Sequence, residues 1–499
     1  MQIPIRLTVI CLCLFGSGCD STRSSDRSSS VAVSSEATKS NAVNETDSAP
    51  VTSDRSGHDW PVFLGPHGTG VSDETGLLDE WPATGPRVLW EKRIGKGYSS
   101  PSILDGRVVV HHRQRDLDVI ECCHFEDGAQ IWKYDYETDF ADPYGYNNGP
   151  RCSPLLTKTR CYTFGAQGRL VCLDLETGKL VWECDTPKKW KVPNHFFGAG
   201  CTPIIEGNLL IVLVGGQPDS GVVAFNAETG ATVWESVGEK TWHGADTDLN
   251  GKPYKWTGEE MVVSYSSPIV ATINRSKHLL CLVRQGLVSL DPENGNVRFK
   301  YWFRSRINDS VNAARPVVVD DQVFLSAAYE TGAALLRIHP DNQSYDVVWR
   351  NKRGMSTHWS TPIYQDGCLY GFSGRHEGEA TLQCVDLKTG KLEWETNGYS
   401  GPVTDLRTGT NGEIVDAAGK PATFFGRGSK IAVDGKFVML GERGMLVLAK
   451  LSREKYEELS RAIYPQIHYP AWAAPVISHG RLFLRSEDHL LCLDIAKPH

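Results

Sequence analysis

Cys172-Leu-Asp174-Leu-Glu-Thr-Gly178-Lys-Leu-Val-Trp182 is the stretch on which the fold turns. An alternating apolar run meets a tight turn containing glycine, and an aromatic follows the glycine by four. This is a hairpin signature, because glycine supplies the positive φ that such turns demand. The line returns as Ala224-Phe-Asn226-Ala-Glu-Thr-Gly230-Ala-Thr-Val-Trp234, as Ser289 to Phe299, as Cys384 to Trp394, and more loosely as Cys122 to Trp132. Upstream of each copy stands a second pattern: a small residue, one variable residue, then a proline and a short apolar strand ending in an Asp-Gly-like turn.

The prolines are Pro101, Pro154, Pro203, Pro268, Pro316, Pro362 and Pro475, with Lys430 in the seventh slot. Eight units result, spaced about 53 residues apart on average, close to the period of four-stranded propeller blades. Two residues before the slot the chain reads Ser99, Cys152, Cys201, Ser266, Ala314, Ser360, Gly428 and Ala473, all small. Innermost strands converge on a narrow axis, where large side chains would collide. Trp132, Trp182, Trp234, Phe299, Trp349 and Trp394 fall on the outer strands, where each can bury its ring against the neighbouring blade. The last unit lacks its outer strand, and Arg87 to Ile94, with Trp90, supplies one from the start of the chain. The expected fold is therefore all-β: an eight-bladed propeller of four-stranded antiparallel blades, closed by an N-terminal strand that completes the last blade. Insertions fall at about 238–264 and 397–426. Ser452 to Tyr464 has helical propensity, but the repeat register requires a strand there.

The composition agrees. The chain has 499 residues, 40% hydrophobic and 22% charged, enough for a large core. Its 52 Lys plus Arg against 60 Asp plus Glu give a net charge of −8 without a basic block, so nucleic acid is not an expected partner. Met1 to Cys19 reads as a secretion signal: Arg6, an apolar stretch from Leu7 to Phe15, then small residues before Cys19. The apolar run is too short to span a bilayer. Residues 20–57 are Ser, Thr, Asp, Asn and Ala with almost no large apolar side chain, the composition of a tether. The folded body is expected over residues 58–499, as a monomer.

The small residues running into Cys19 resemble the lipobox of bacterial lipoproteins, although Gly16 stands where that motif has Leu. This resemblance implies lipidation at Cys19 and a periplasmic protein held on the inner or outer membrane; ordinary cleavage nearby would instead release a soluble protein. The turn Asp-x-x-Thr-Gly-x-x-x-Trp, repeated around eight blades, resembles the docking motif of pyrroloquinoline-quinone (PQQ) repeat propellers. That group contains quinoprotein alcohol dehydrogenases and the BamB-like scaffold of outer-membrane barrel assembly. Trp60-Pro-Val-Phe-Leu-Gly-Pro and Tyr98-Ser-Ser-Pro resemble planctomycete-type members. The motif speaks for fold more than for chemistry.

The dehydrogenases of the group hold PQQ in the axial channel beside calcium, with an aspartate base, and many carry a disulfide of adjacent cysteines. Cys122-Cys123 matches that pair in spacing only. Cys122 falls in the slot of Cys172 and Cys384, and Cys123 in that of Leu173 and Val385, so both read as core residues. No C-x-x-C is present, which removes attached haem and a zinc knuckle. Polar residues gather just before the inner strands: Arg151, with Asn147 and Asn148; Asn194 and His195; Asn308, Asp309, Asn312 and Arg315; His358 and Trp359; and Arg427. If the inter-blade loops open on one face, these side chains converge at the channel mouth. There they suit an anionic or sugar-like ligand, or a quinone tricarboxylate, with Asp309 as the base if the protein is a dehydrogenase. They also suit loop packing. Asp309 with Asn308 or Asn312 lacks a glutamate for a calcium site, and His243, Asp246 and Asp248 read as a polar turn. Three functions stay open: a scaffold binding envelope proteins or a ligand, a PQQ-dependent dehydrogenase of an alcohol or sugar, and a carbohydrate-binding module.

Overall fold

Each repeat folds as four antiparallel strands laid side by side from the axis outward, and eight such blades are present in the computed structural model. It describes residues 57–192, 197–239, 242, 264–305, 307, 310–410 and 414–498. The expected signal, Cys19 and all of the tether but its last residue lie outside that range, as do Asn194, His195, Asn308, Asp309 and most of the first insertion, with His243, Asp246 and Asp248. Blades 1 to 7 occupy residues 102–137, 155–185, 204–236, 269–302, 317–351, 363–396 and 429–463. Blade 8 combines Val476–Ser478, Arg481–Arg485 and His489–Asp494 with Arg87–Arg93, which pairs antiparallel with His489–Asp494 as its outer strand. The ring is thus latched by the N-terminal strand, as the missing outer strand required. The propensity conflict in blade 7 resolves toward register: Tyr456–Ile463 is a strand. Among the described residues no helix is long and apolar enough to cross a membrane.

The repeated turn does more than reverse the chain. Asp174 Oδ1 accepts from the backbone N–H of Thr177 at 2.9 Å and from its hydroxyl at 2.7 Å, and Asp386 holds Thr389 in the same way. Just beyond it, the pairing of the third and fourth strands slips by one residue at the tryptophan, between Leu180 and Trp182 in blade 2 and between Ala224 and Phe225 in blade 3. Such a bulge re-aims a side chain, here toward the next blade. Trp182 Nε1 donates to Ala227 O of blade 3 at 2.8 Å, and a Cβ on Gly230 would sit 2.7 Å from the Trp182 ring. Gly230, at φ +70, therefore serves both the turn and the close approach of the indole.

The relay runs around the ring. Trp90 donates to Phe125 O, Trp132 to Leu175 O, Trp234 to Pro292 O, Trp349 to Leu387 O and Trp394 to Ser452 O. Phe299 has no N–H to offer and packs on Tyr345 of blade 5 at 5.1 Å, while the Tyr345 hydroxyl donates to Lys300 O. Each outer tryptophan thus satisfies a carbonyl of the neighbouring blade and shields it from water. Cys122 and Cys123 are free and fully buried in the third strand of blade 1, away from the axis, as the alignment of slots requires. Burial pushes the Cys123 thiol up to about 11 and that of Cys122 higher still.

Candidate functional site

The residue between the small position and the proline slot faces the axis. In order these residues are Ser100, Ser153, Thr202, Ser267, Arg315, Thr361, Ser429 and Ala474. Hydroxyls belt the channel: the backbone N–H of Ser100 donates to Ser153 Oγ (3.1 Å), that of Ser153 to Thr202 Oγ1 (3.1 Å), and that of Thr202 to Ser267 Oγ (2.8 Å). Further round, Arg315 N–H donates to Thr361 Oγ1 (3.1 Å), and Ser100 Oγ closes onto Ala474 O (2.9 Å). The belt stitches neighbouring blades at the axis, as the tryptophans do at the rim.

One end of the channel has a floor. The segment from Trp60 exchanges backbone bonds with Ile103 of blade 1, Pro61 O accepts from Leu156 of blade 2, and Val71–Ser72 runs parallel to Ser429–Val433 of blade 7. Between these anchors the chain crosses the axis. Arg315 pins the crossing: its guanidinium donates to Gly68 O at 2.8 Å and to Pro268 O at 3.0 Å. Gly68 has φ +63, and a Cβ there would sit 2.6 Å from an Arg315 nitrogen, so a side chain would displace the guanidinium. Phe63 and Leu64 line the cavity above it.

That cavity, about 320 Å³, is lined by aromatics brought by inter-blade loops. Trp359 and Trp472 lie 5.2 Å apart, Tyr98 is 4.9 Å from Trp472, and His358 is 5.1 Å from Trp359 and 5.4 Å from Tyr329. On the opposite wall Phe197 touches Tyr144 and Tyr265, and Tyr146 bridges Phe197 to Trp472. Tyr144 and Tyr146 are exposed at the rim.

The electrostatics of this cup are one-sided. Arg427 is bound by Glu442 through three nitrogen–oxygen contacts of 2.7–3.2 Å, and its guanidinium lies over both Trp359 and Trp472. Glu442, fully buried, also accepts from Trp472 Nε1 at 3.0 Å. Arg151 is paired with buried Asp142 at 2.9 Å. Arg375 sits over the Tyr329 ring, with no carboxylate partner among the described residues. Lys430, 3% exposed, donates to Thr361 O at 3.0 Å and pairs with no acid among the described residues, and burial lowers its ammonium to about 7. His358 is held neutral, at about 3, by burial and then by Arg427, Arg375 and His376. Its Nε2 lies 3.0 Å from the Tyr329 hydroxyl; with Nε2 accepting, the proton is on Nδ1, which has no partner. Tyr98 Oη and Trp359 Nε1 are also buried without a partner. Among the described residues, the buried partnerless groups of the cup, on Tyr98, His358 and Trp359, can each donate, and Arg375 and Lys430 add cationic character.

Of the expected site residues, the structure brings Arg151, His358, Trp359 and Arg427 to one cavity. Asn312 is buried and donates to Val283 O and Phe303 O, bracing blade 4, and Arg315 belongs to the floor. Sequence reasoning missed Tyr98, Tyr329, Arg375, Lys430 and Trp472. Lys430 alone left a signal, a lysine in a proline slot. A flat, anionic quinone fits the aromatic walls and spare donors. A calcium ion beside it finds few ligands: among the described residues Asp142 is the carboxylate in the lining and is paired with Arg151, Glu442 behind it is paired with Arg427, and Cys122 and Cys123 do not line it.

Fold and site together define an eight-bladed PQQ-like repeat propeller whose channel is floored at one end and opens into an aromatic, cationic cup. The chain belongs to the family described as outer membrane protein assembly factor BamB, whose model matches residues 115–396. Among curated proteins it is similar to the dehydrogenase subunit of the quinone alcohol dehydrogenase of Gluconobacter oxydans (strain 621H), 21% identical over 314 residues, 58% of this chain and 36% of that protein. It is also similar to the quinohemoprotein alcohol dehydrogenase of Comamonas testosteroni, 22% identical over 346 residues, 62% of this chain and 48% of that one. The chain thus spans less than half the length of these relatives. Among solved structures, BamB from Moraxella catarrhalis superposes with a TM-score of 0.53 at 12% identity, covering 82% of this chain and 99% of that one. The Comamonas testosteroni enzyme gives 0.56 at 14% identity, covering 88% and 81%. At such identities the likeness is one of fold.

Proposed function

We propose that this protein is a binding scaffold, exported and held at a membrane through Cys19, that captures an anionic, ring-bearing ligand in the cup at its channel mouth. The observation that carries the reading is the imbalance of the cup. Among the described residues its buried partnerless groups can donate, while Asp142 and Glu442 are engaged with Arg151 and Arg427. An acceptor-rich anion satisfies Arg375, Lys430, Tyr98, His358 and Trp359 together, and the aromatic faces stack on a flat ring. Family membership supports an envelope location and an assembly role, in which the loop face around the cup meets envelope proteins.

A second reading, a PQQ-dependent dehydrogenase of an alcohol or sugar, is favoured by the same flat, cationic lining and by the quinone alcohol dehydrogenases among the relatives. One experiment separates the two. The purified protein is titrated with PQQ, with and without Ca²⁺, following tryptophan fluorescence, and oxidation of alcohols and sugars is assayed with an artificial electron acceptor. Calcium-independent binding without turnover supports capture. Calcium-dependent turnover makes the protein an enzyme and sinks the scaffold reading. Loss of membrane fractionation in Cys19→Ala tests the anchor.

A further inference from the structure

Outside the cup, two histidines and one aspartate converge on blade 8 and the loop that leads into it. His489 Nδ1 lies 2.8 Å from Asp488 Oδ1, and His468 Nε2 lies 3.0 Å from the same oxygen. The three ligand atoms all lie within 4.8 Å of one another. The rings are nearly perpendicular, at 78° with centroids 6.2 Å apart, and each presents a nitrogen to the same Asp488 oxygen. A tetrahedral ion with bonds of about 2.0–2.1 Å holds its ligand atoms about 3.3 Å apart, close to the two distances seen.

The hydrogen bonds make this more than proximity. His468 Nδ1 is 3.1 Å from Tyr469 O, and a carbonyl can only accept, so Nδ1 carries a proton. In the neutral ring Nε2 then presents a lone pair to a carboxylate oxygen 3.0 Å away. Two things relieve that repulsion: a second proton on the ring, or a cation between the two atoms. A histidine that donates its far nitrogen to a backbone carbonyl and turns the other toward a carboxylate has the second-shell arrangement of a metal ligand. Asp488 is fixed in turn, its own carbonyl accepting from Ile94 N–H at 2.9 Å. The opposing charge is Arg93, 3.9 Å from Asp488 Oδ2 and on an exposed side chain.

We propose that His468, Asp488 and His489 form a site for a borderline divalent cation of the zinc type, with water completing its coordination. Two imidazole nitrogens and one carboxylate oxygen match zinc and its late first-row neighbours, and not calcium or magnesium, which take oxygen shells. The site sits where it can brace the cup. His468 is four residues before Trp472, and Glu487, next to Asp488, accepts from Asn147 in the loop that carries Arg151. A bound ion therefore ties the loop of Tyr469 and Trp472 to the turn of blade 8.

The test is titration of the chelator-treated protein with Zn²⁺ by calorimetry, and with Co²⁺ by visible absorption. One equivalent binds with Kd below about 10 µM, Co²⁺ gives the intense bands of a low-coordinate site, and Zn²⁺ raises the unfolding temperature. Asp488→Asn and His489→Asn each lower the affinity at least about tenfold, whereas His124→Gln, on an exposed histidine elsewhere, does not. Circular dichroism confirms that the variants fold. Absence of a stoichiometric Zn²⁺ equivalent overturns the proposal. Affinity that survives Asp488→Asn, or falls as much in His124→Gln, overturns it as well. PQQ binding is not part of the readout, so failure here is separate from failure of the capture reading.

Discussion

Lys430 offers the most direct test of the cup, because a buried ammonium without a carboxylate has a calculable cost. Burial lowers its pKa from 10.5 to about 7, equivalent to about 5 kcal/mol against the charged form. The unfolded chain binds this proton up to about pH 10.5 and the folded chain only below about pH 7. Between those values the unfolded state holds more protons, so stability rises with pH. The destabilisation is fully present below pH 7 and is gone above the unfolded pKa. Integrated from pH 6 to pH 9, the ligand-free protein gains about 2.5–3 kcal/mol from this group alone. Lys430→Met keeps the volume and removes the charge, at the loss of one hydrogen bond to Thr361 O. The variant is expected to be more stable than the parent at pH 6, and the difference shrinks as pH rises to 9. Urea unfolding of both proteins at several pH values measures it, and the subtraction removes every other titrating group. A difference that does not change with pH, or a variant less stable at pH 6, refutes an uncompensated ammonium in the cup.

Further expectations can be checked with standard assays. Trp182→Ala removes an indole buried between blades 2 and 3 and costs about 3–5 kcal/mol in denaturant unfolding, and Gly230→Ala, which drives a Cβ into the same ring, also lowers the melting temperature. Glu442→Gln takes the carboxylate from half-buried Arg427 and lowers stability by a few kcal/mol, about 3 at most, by the same measurement. With PQQ as the probe, Trp472→Ala and Arg375→Ala each weaken binding by about tenfold or more, read by calorimetry. A thiol reagent leaves Cys122, Cys123 and the other fully buried cysteines of the native protein unlabelled and reaches them only after unfolding, with half-buried Cys184 the first to react among the described cysteines.

The blades were legible because the repeated turn carries its own chemistry. Asp174 and Thr177 fix the loop, Gly178 turns it, and Trp182 leaves the sheet toward the next blade. Eight copies averaged out local conflicts such as that of Tyr456–Ile463, whose propensity alone favours a helix. Repeat register also identified the small residues at the axis. It could not say that the residue after each would form the hydroxyl belt, since Ser100, Ser153 and Thr202 gain that role only when neighbouring blades meet. The cup was half legible. Arg151, His358, Trp359 and Arg427 were visible as polar residues before inner strands, but Tyr98, Tyr329 and Trp472 look like ordinary loop aromatics until closure of the ring aims them at one another. Arg315 stood in the same kind of position and ended in the floor, because Gly68 O and Pro268 O, from distant parts of the chain, take its guanidinium.

The latch of blade 8 also bears on how the ring forms. Docking one blade on the next joins residues such as Trp132 and Leu175, 43 apart, whereas the pairing of Arg87 with Asp494 spans 407. Loop-closure entropy grows only with the logarithm of length, so sealing the circle costs about 2 kcal/mol more than docking two neighbours. Seven blades can therefore assemble by short-range steps as an open arc. The latch then converts that arc into a closed ring in one long-range event, which must await the last strand of the repeat array. Mutations in Arg87–Arg93 should consequently act on the rate and reversibility of that final event more than on the blades themselves.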